Sequence, residues 1–285
     1  MSVPSACPLP LERARSLLFA PASDERKLRR ALASDAHAVV ADLEDAVAAD
    51  AKEAAREALA RVLAEPREAS GPALLVRVNS RESGLLDGDL EALAGLPLDA
   101  LMLPKATPEA VAEAAPPWPV LALVETAAGL DAALAIARLP QVVALMLGAA
   151  DLGAELRLEP RRDGHELLLA RSKLVLDSAL AGIRAPFDGV HPALSDDLGL
   201  REQALLARSL GLRGKGCVHP RQVALVNRAF APRLDELEWA RRVLAALDQG
   251  AREGRGAVAV DGEMVDAPVA ARARALIVES EEGRT

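Results

Sequence analysis

Short runs dominated by apolar residues recur along the chain, and each is followed by a longer stretch with helical period. The short runs are SLLFAPA (16–22), AVVADLED (38–45), ALLVRVNS (73–80), ALMLPKA (100–106), VLALVET (120–126), VVALMLG (142–148), FDGVHPA (187–193) and GCVHP (216–220). Between them, SDERKLRRALAS (23–34), KEAAREALARVLAE (52–65), ATPEAVAEAA (106–115), TAAGLDAALAIARL (126–139), DGHELLLARSKLVLDSALAG (163–182) and SDDLGLREQALLARSLG (195–211) read as helices. Ser23 and Ser195 stand where N-caps belong, and Thr107-Pro108 opens its helix in the expected way. Strands apolar on both faces, alternating with helices, predict an α/β fold with a parallel sheet covered by helices. Eight alternations predict a closed (β/α)8 TIM barrel over 13–230. No G-x-G-x-x-G turn follows the first run, which argues against an open dinucleotide-binding sheet. The pattern changes after about residue 230. Residues 233–252 read as one charged amphipathic helix, followed by a Gly-rich segment, a short hairpin and a last helix. This stretch, 231–285, is expected to be a C-terminal helical and lid extension of the same domain, without a core of its own.

Composition narrows the function. The chain has 285 residues, 51% of them hydrophobic, enough for one large core. Its net charge is −8 and its aromatic content only 2%, so the basic groove and stacking platforms of a nucleic-acid binder are lacking. Cys7 and Cys217 have no metal-ligand spacing and read as free thiols of a reducing cytoplasm. The first residues lack the order of a signal peptide, and the longest uncharged runs, near 142–150, are too short to span a bilayer. The expectation is a soluble cytoplasmic protein with neither nucleic-acid nor membrane partners.

In a parallel barrel the chemistry sits at the C-terminal ends of the strands. Polar residues at or beside those ends are Arg15 just before the first run, then Asp42, Glu44, Asp45, Arg77, Asn79, Lys105, Glu125, Asp151, Asp188, His191 and His219. The histidines read as structural, with His37 and His165 leaning to the surface. Glu125 and Asp151 end adjacent apolar runs, where a carboxylate costs free energy unless a cation or donor meets it. One reading makes them a Mg2+ pair, with water and substrate completing the coordination. The other makes Glu125 the cap of the helix that starts at Thr126 and Asp151 the cap of a turn. Zinc is disfavoured because no His/Cys cluster has ligand spacing. Arg77 suits the two parallel hydrogen bonds of a carboxylate clamp. A salt bridge to Glu44 or Asp45 is the other reading, and the two are compatible. A divalent ion beside an arginine suits carbon–carbon chemistry on a small 2-oxo acid.

The ordered motifs RSLLFAPA, DLEDAV, VRVN, LPK, VETAAG, GAADL, KGCVHPRQVALVNRAFAP and DGEMVDAPVAARARAL, spanning roughly 13–278, resemble the citrate lyase beta-subunit family within the HpcH/HpaI aldolase/citrate lyase superfamily. The resemblance implies a TIM barrel that binds Mg2+ and cleaves or forms a citryl-, malyl- or citramalyl-type thioester with an oxo acid such as oxaloacetate or glyoxylate. It implies Glu125 and Asp151 as metal ligands, Arg77 as the oxo-acid arginine, and Glu44 and Asp45 as acids beside the metal and its waters. Asp266 matches an aspartate brought in on a C-terminal lid, often from a neighbouring subunit of a homotrimer. Arg15 and Lys105 are expected on the substrate side. Arg26, Lys27, Arg29 and Arg30 read either as contacts for coenzyme A phosphates or as a solvated helix face. The implied partners are an acyl-coenzyme A or acyl-carrier thioester and an oxo acid. Two alternatives remain at this point: a pyruvate-type aldolase acting on free hydroxy-oxo acids, and a non-catalytic binding subunit.

Overall fold

The computed structural model describes residues 9–68, 71–114 and 117–282; Cys7 lies outside them. The described residues divide into two compact units, one up to Phe230 and one from Ala231 onward. In the first unit the apolar runs form β1 (Ser16–Pro21), β2 (Ala38–Asp42), β3 (Ala73–Arg77), β4 (Ala100–Leu103), β5 (Val120–Val124), β6 (Val142–Leu147) and β7 (Lys215–Cys217). They pair in parallel in the order β6-β5-β4-β3-β2-β1-β7. Every residue of β2, β5 and β6 is buried, as expected of strands covered on both faces. One apolar cluster, with Leu17, Val40, Leu75, Met102, Leu121, Met146 and Phe187, fills the concave side. A larger cluster lies between the sheet and its helices. The helix Lys52–Leu63 shows how the helices join it, burying Ala55, Ala58, Leu59, Val62 and Leu63 at helical spacing.

The predicted strand FDGVHPA does not form as such. Only Phe187 and Asp188 pair, through isolated parallel bridges to Met146 of β6 and Lys215 of β7. Leu147 N–H donates to Phe187 O at 3.0 Å, Phe187 N–H to Leu145 O at 2.9 Å, and Gly216 N–H to Asp188 O at 3.1 Å. Two residues thus link the two edge strands of the seven-stranded sheet. A buried ion cluster reinforces this thin seam. Asp188 is fully buried and accepts from Lys215 Nζ at 2.6 Å and from Arg171 Nε at 2.8 Å. Arg171 lies on the helix Leu168–Ala181 and also donates to Gly164 O at 2.8 Å. Burial alone raises the proton affinity of Asp188, yet the two cations outweigh it and hold the carboxyl below its usual range.

Two expected caps move by one residue. Asp24 and Asp196, not Ser23 and Ser195, accept the helix N–H groups, from Lys27 at 2.9 Å and Gly199 at 3.0 Å. Thr107 caps as expected, its Oγ1 accepting from Ala110 N–H at 3.1 Å. In the second unit the helices Leu234–Arg252 and Ala267–Glu282 pack with a hairpin of β8 (Val258–Val260) and β9 (Glu263–Val265). Contrary to expectation it has a small core of its own, centred on Ala240, Val243, Val265 and Ala273. No helix among the described residues is long and apolar enough to cross a membrane.

Asp188→Ala leaves two buried cations facing each other and is expected to cost about 3–5 kcal/mol. Lys215→Met leaves the Arg171–Asp188 pair balanced and is expected to cost less. Urea unfolding of the two variants checks the order.

Candidate active site

The C-terminal ends of β2 to β6 carry an acid-rich rim organised around one arginine. Asp42 and Arg77, the last residues of β2 and β3, are register partners. Arg77 Nε donates to Asp42 Oδ1 at 2.8 Å and Nη2 to Oδ2 at 2.6 Å, the bidentate geometry that suits a guanidinium. The remaining nitrogen, Nη1, lies 3.1 Å from Glu44 Oε2 and 3.2 Å from Asp45 Oδ2. The guanidinium carbon sits 5.5 Å from the centre of the Phe19 ring. Burial pulls the Arg77 proton affinity down, but the bonds from Asp42 and the charges of Glu44 and Asp45 outweigh it, so the group stays charged. Asp42 also accepts N–H groups of Glu44 at 2.9 Å and Ala46 at 3.2 Å. Lys52 Nζ holds the carbonyls of Leu43 and Glu44, each at 2.7 Å. The turn carrying Glu44 and Asp45 is therefore fixed from both sides.

Glu125 follows β5 and is only 3% exposed. Its Oε1 accepts from the backbone N–H of Lys105 at 2.8 Å. Lys105 adopts φ 47°, a left-handed conformation that costs a residue with a Cβ about 1–2 kcal/mol. Beside it, Gly148 must be glycine: a Cβ there would stand 2.2 Å from Glu125 Cβ and 2.7 Å from its Oε2. Thr126 caps the following helix, its Oγ1 accepting from Gly129 N–H at 3.0 Å, so Glu125 does not serve as the cap. Asp151 lies exposed in the first turn of the helix Ala149–Glu155, whose N-cap is Gly148 with no side-chain bond. The capping alternatives thus fail for both acids.

Burial pushes the Glu125 carboxyl up to about 8; the Lys105 N–H opposes this, the charges of Glu44 and Asp151 add to it, and Arg77 opposes it. Glu44 is pushed up to about 7, again mainly by burial, against Arg77 and with Asp45 and Asp42 adding. Glu44 Oε2 faces Arg77 without the alignment of a hydrogen bond, which leaves a buried oxygen without a donor. Five acids, of which Asp42, Glu44 and Glu125 are buried, therefore share two cations, Arg77 and Lys105. A hard cation would relieve both the raised proton affinities and the orphaned oxygen. Among the described residues no three His, Cys, Asp or Glu side chains converge on one point. Glu125 and Asp151 with water and substrate oxygens suit Mg2+, which keeps much of its hydration.

Several predicted residues are not brought to this rim. Arg15 precedes β1 and so stands at the opposite edge of a parallel sheet, where its N–H donates to His37 Nδ1 at 3.3 Å and its carbonyl accepts from Lys215 N–H at 2.8 Å. Asn79 turns to the buried Asp89, which accepts from its N–H at 2.6 Å and its Nδ2 at 2.7 Å. Asp188 belongs to the seam. His191 is buried against Gln203 Oε1 at 3.2 Å, and His219 Nδ1 accepts from Arg221 N–H at 3.2 Å. His37 is half-buried rather than superficial. Of the four cations on the helix Glu25–Leu32, Lys27 pairs with Asp24 and Arg29 with Glu25 and Glu65. Arg26 and Arg30 are exposed and enter none of these pairs. Asp266 lies in the second unit, between β9 and the helix Ala267–Glu282, with Oδ1 3.5 Å from Val269 N. Three contributors escape sequence reasoning: Asp42 as the arginine's main partner, the backbone of Lys105, and Gly148. The glycine directly after a buried strand is the one that left a signal.

A model of the HpcH/HpaI aldolase/citrate lyase family matches residues 15–220. A protein of Cereibacter sphaeroides named (3S)-malyl-CoA thioesterase is 37% identical over 256 residues, covering 88% of this chain and 89% of that protein. A citrate lyase subunit beta-like protein of Mycobacterium tuberculosis is 39% identical over 264 residues, covering 91% and 93%. The crystal structure of the protein CitE from Mycobacterium tuberculosis, in complex with magnesium, acetoacetate and coenzyme A, superposes with a TM-score of 0.83. It has 38% identity and covers 95% of this chain and 100% of that one.

Burial raises Glu44 and Glu125 above their ordinary value of 4.5, to about 7 and about 8. Their protons are held more tightly in the folded chain, so this contribution to stability is complete below about pH 4.5 and is lost as the pH rises through 7 and 8. Without divalent cations, the unfolding midpoint is expected to fall over that window, and to fall less in Glu125→Gln. Adding Mg2+ is expected to raise the midpoint more at about pH 8.5 than at about pH 5.5. Thermal melts across pH, with and without chelator, check both slopes.

Proposed function

The chain belongs to the HpcH/HpaI aldolase/citrate lyase family, and from that premise we propose that it is a Mg2+-dependent carbon–carbon lyase. Its substrate is a hydroxyacyl thioester of citryl, malyl or citramalyl type, which it cleaves to, or builds from, an acyl thioester and an oxo acid such as oxaloacetate or glyoxylate. The observation that carries the reading is the cation-short rim, with Glu125 lifted to about 8 and Glu44 to about 7 around the single arginine. Magnesium in the relatives' structures supports it. Eight sheet positions, counting the bridging pair Phe187–Asp188, support reading the first unit as a TIM barrel with its site at this end.

Glu125 and Asp151 hold the ion in this reading. Mg2+ there supplies a Lewis acid that polarises the oxo acid's keto group. Arg77 meets the oxo-acid carboxylate through Nη1, which the substrate takes over from Glu44 and Asp45, because its other edge is engaged by Asp42. Glu44 and Asp45 orient water on the metal side, and Lys105 adds positive charge. In the cleavage direction the substrate hydroxyl gives its proton to Glu44 as the C–C bond breaks. The bonding pair passes to the thioester as its enolate, which takes a proton on carbon from Asp266. In the condensing direction ionised Asp266 removes that α-proton first. Asp266 stands at the start of the helix Ala267–Glu282 and comes to the substrate on a lid from the same or a neighbouring subunit of a homotrimer.

Arg26 and Arg30, four apart on one exposed helix face beside the end of β1, suit the phosphates of coenzyme A. Arg15 takes no part. A coenzyme A ester as substrate fits a cytoplasmic enzyme. A second reading, hydrolysis of the thioester, is favoured by the relative named (3S)-malyl-CoA thioesterase. Product analysis separates the two: a lyase yields an oxo acid and an acyl thioester, a hydrolase yields a hydroxy acid and a free thiol.

Asp266→Asn is expected to abolish turnover of malyl-, citramalyl- and citryl-thioesters while sparing Mg2+ and oxo-acid binding measured by calorimetry. Full activity of that variant would sink the assignment. Arg77→Lys is expected to lower kcat/KM at least tenfold, a loss of about 1.4 kcal/mol, because an ammonium replaces neither edge of the fork.

A further inference from the structure

The glycine in the middle of β7 marks a point where three apolar side chains meet. An added Cβ at Gly216 would stand 2.7 Å from Val190 Cγ1, 2.8 Å from Met146 Cε and 3.4 Å from Phe19 Cε2. Gly216 is the register partner of Leu17, a member of the concave cluster, so the missing side chain would point to that side of the sheet. Met146 is buried in the same cluster, Phe19 packs against it and Val190 is half-buried. Phe19 lies two residues before Pro21, which the register sets level with Asp42 and Arg77, and the Arg77 guanidinium sits over its ring. Phe19, Met146 and Val190 therefore form an apolar floor just below the arginine. None of the three carries a charge or an N–H or O–H donor on its side chain.

Val190 belongs to no strand, yet its place is fixed from both neighbours. Gly189 runs so close to the end of β6 that an added Cβ would meet Leu147 O and Ala149 Cβ, both at 2.9 Å. On the other side the His191 carbonyl accepts from the buried Gln222 Nε2 at 2.9 Å, and Gln222 Oε1 accepts from Val218 N–H at 2.8 Å. A side chain on a backbone held in this way discriminates by shape.

In the eight-position reading of the first unit, β7 and β1 stand across from β4 and β5. Arg77 ends β3, and Glu125 and Asp151 follow β5 and β6. A 2-oxo acid whose carboxylate and keto oxygens face those groups turns the substituent on its keto carbon the opposite way, toward β7 and β1. We propose that Val190 is a specificity-determining residue that receives this substituent, with Phe19 and Met146 beside it. The chain then takes 2-oxo acids whose substituent is small and uncharged, a hydrogen or a methyl. This rests on the reading that Arg77 and the acids beyond β5 and β6 hold the other end of the oxo acid. A methyl gains by leaving water for such a floor. A polar group there loses its hydrogen bonds to water and finds no replacement, and a longer chain meets a valine that the backbone holds in place.

The test is calorimetry on the full chain with Mg2+, and the probes are pyruvate, its amide isostere oxamate, and 2-oxobutyrate. The unaltered chain is expected to bind pyruvate about tenfold more tightly than either of the others. Val190→Thr keeps the shape and adds a hydroxyl, and is expected to move the pyruvate-to-oxamate ratio about threefold toward oxamate. Val190→Ala opens the floor and is expected to move the pyruvate-to-2-oxobutyrate ratio about fourfold toward 2-oxobutyrate, the worth of one buried methylene. Arg77→Lys is expected to weaken all three probes and to leave both ratios alone. Ratios unmoved in both Val190 variants would overturn the role of Val190 and leave the oxo-acid site standing. No Mg2+-dependent binding of any probe by the unaltered chain would overturn that site and this inference with it.

Discussion

The rim depends on Arg77 being divided among three acids. Asp42 takes its fork, and Glu44 and Asp45 share what is left. Because the fork is satisfied from within, the arginine needs no ligand to stay ordered, and the turn 43–46 is held in place by the same carboxylate. That arrangement also engages every guanidinium nitrogen of Arg77. Glu125, two strands away, is buried with a backbone N–H as its one donor, and burial raises its proton affinity. Prepared positions and unmet charge together make this a place for a cation. A rim designed only for stability would have paired Glu125 with a second basic side chain or replaced it with an apolar one.

Local sequence devices make that arrangement possible. Gly148 removes the atom that would collide with Glu125, and Lys105 accepts a strained conformation so that its N–H points at the same carboxylate. Both conflict with local preference, a pattern that concentrates where function overrides stability. The seam at Phe187–Asp188 shows the opposite economy. Its backbone pairing is reduced to two residues, and the buried charges of Asp188, Arg171 and Lys215 tie strand, bridge and helix together.

Strands β1 to β6 were legible because burial on both faces imposes continuous apolar runs. The seventh position was not, since a two-residue bridge flanked by Pro186 and Gly189 has no length over which a period can appear. The caps slipped by one where serine and aspartate stand side by side, as both are good caps and only geometry chooses between them. The same ambiguity surrounded Glu125 and Thr126; the threonine hydroxyl took the cap and freed the acid. In DLED three acids lie within four residues of one another, and only the register of β2 on β3 selects Asp42 as the partner of Arg77. Arg15 was misjudged for a simpler reason: the direction of β1 alone places it at the far edge. Partition of the cations on the helix Glu25–Leu32 depended on Glu65, too distant in sequence for any local pattern to reveal.

The separation of roles between rim and hairpin follows from electrostatics. A carboxylate that binds a dication is held in its ionised form and has little affinity left for a proton. Glu125 and Asp151 cannot both seat the ion and remove an α-proton from a thioester, a weak carbon acid. The base must therefore stand outside the ion's first coordination sphere, in surroundings that can be dried when substrate is present. In the proposed reaction that base is Asp266, which lies between β9 and the helix Ala267–Glu282 and is none of the rim acids.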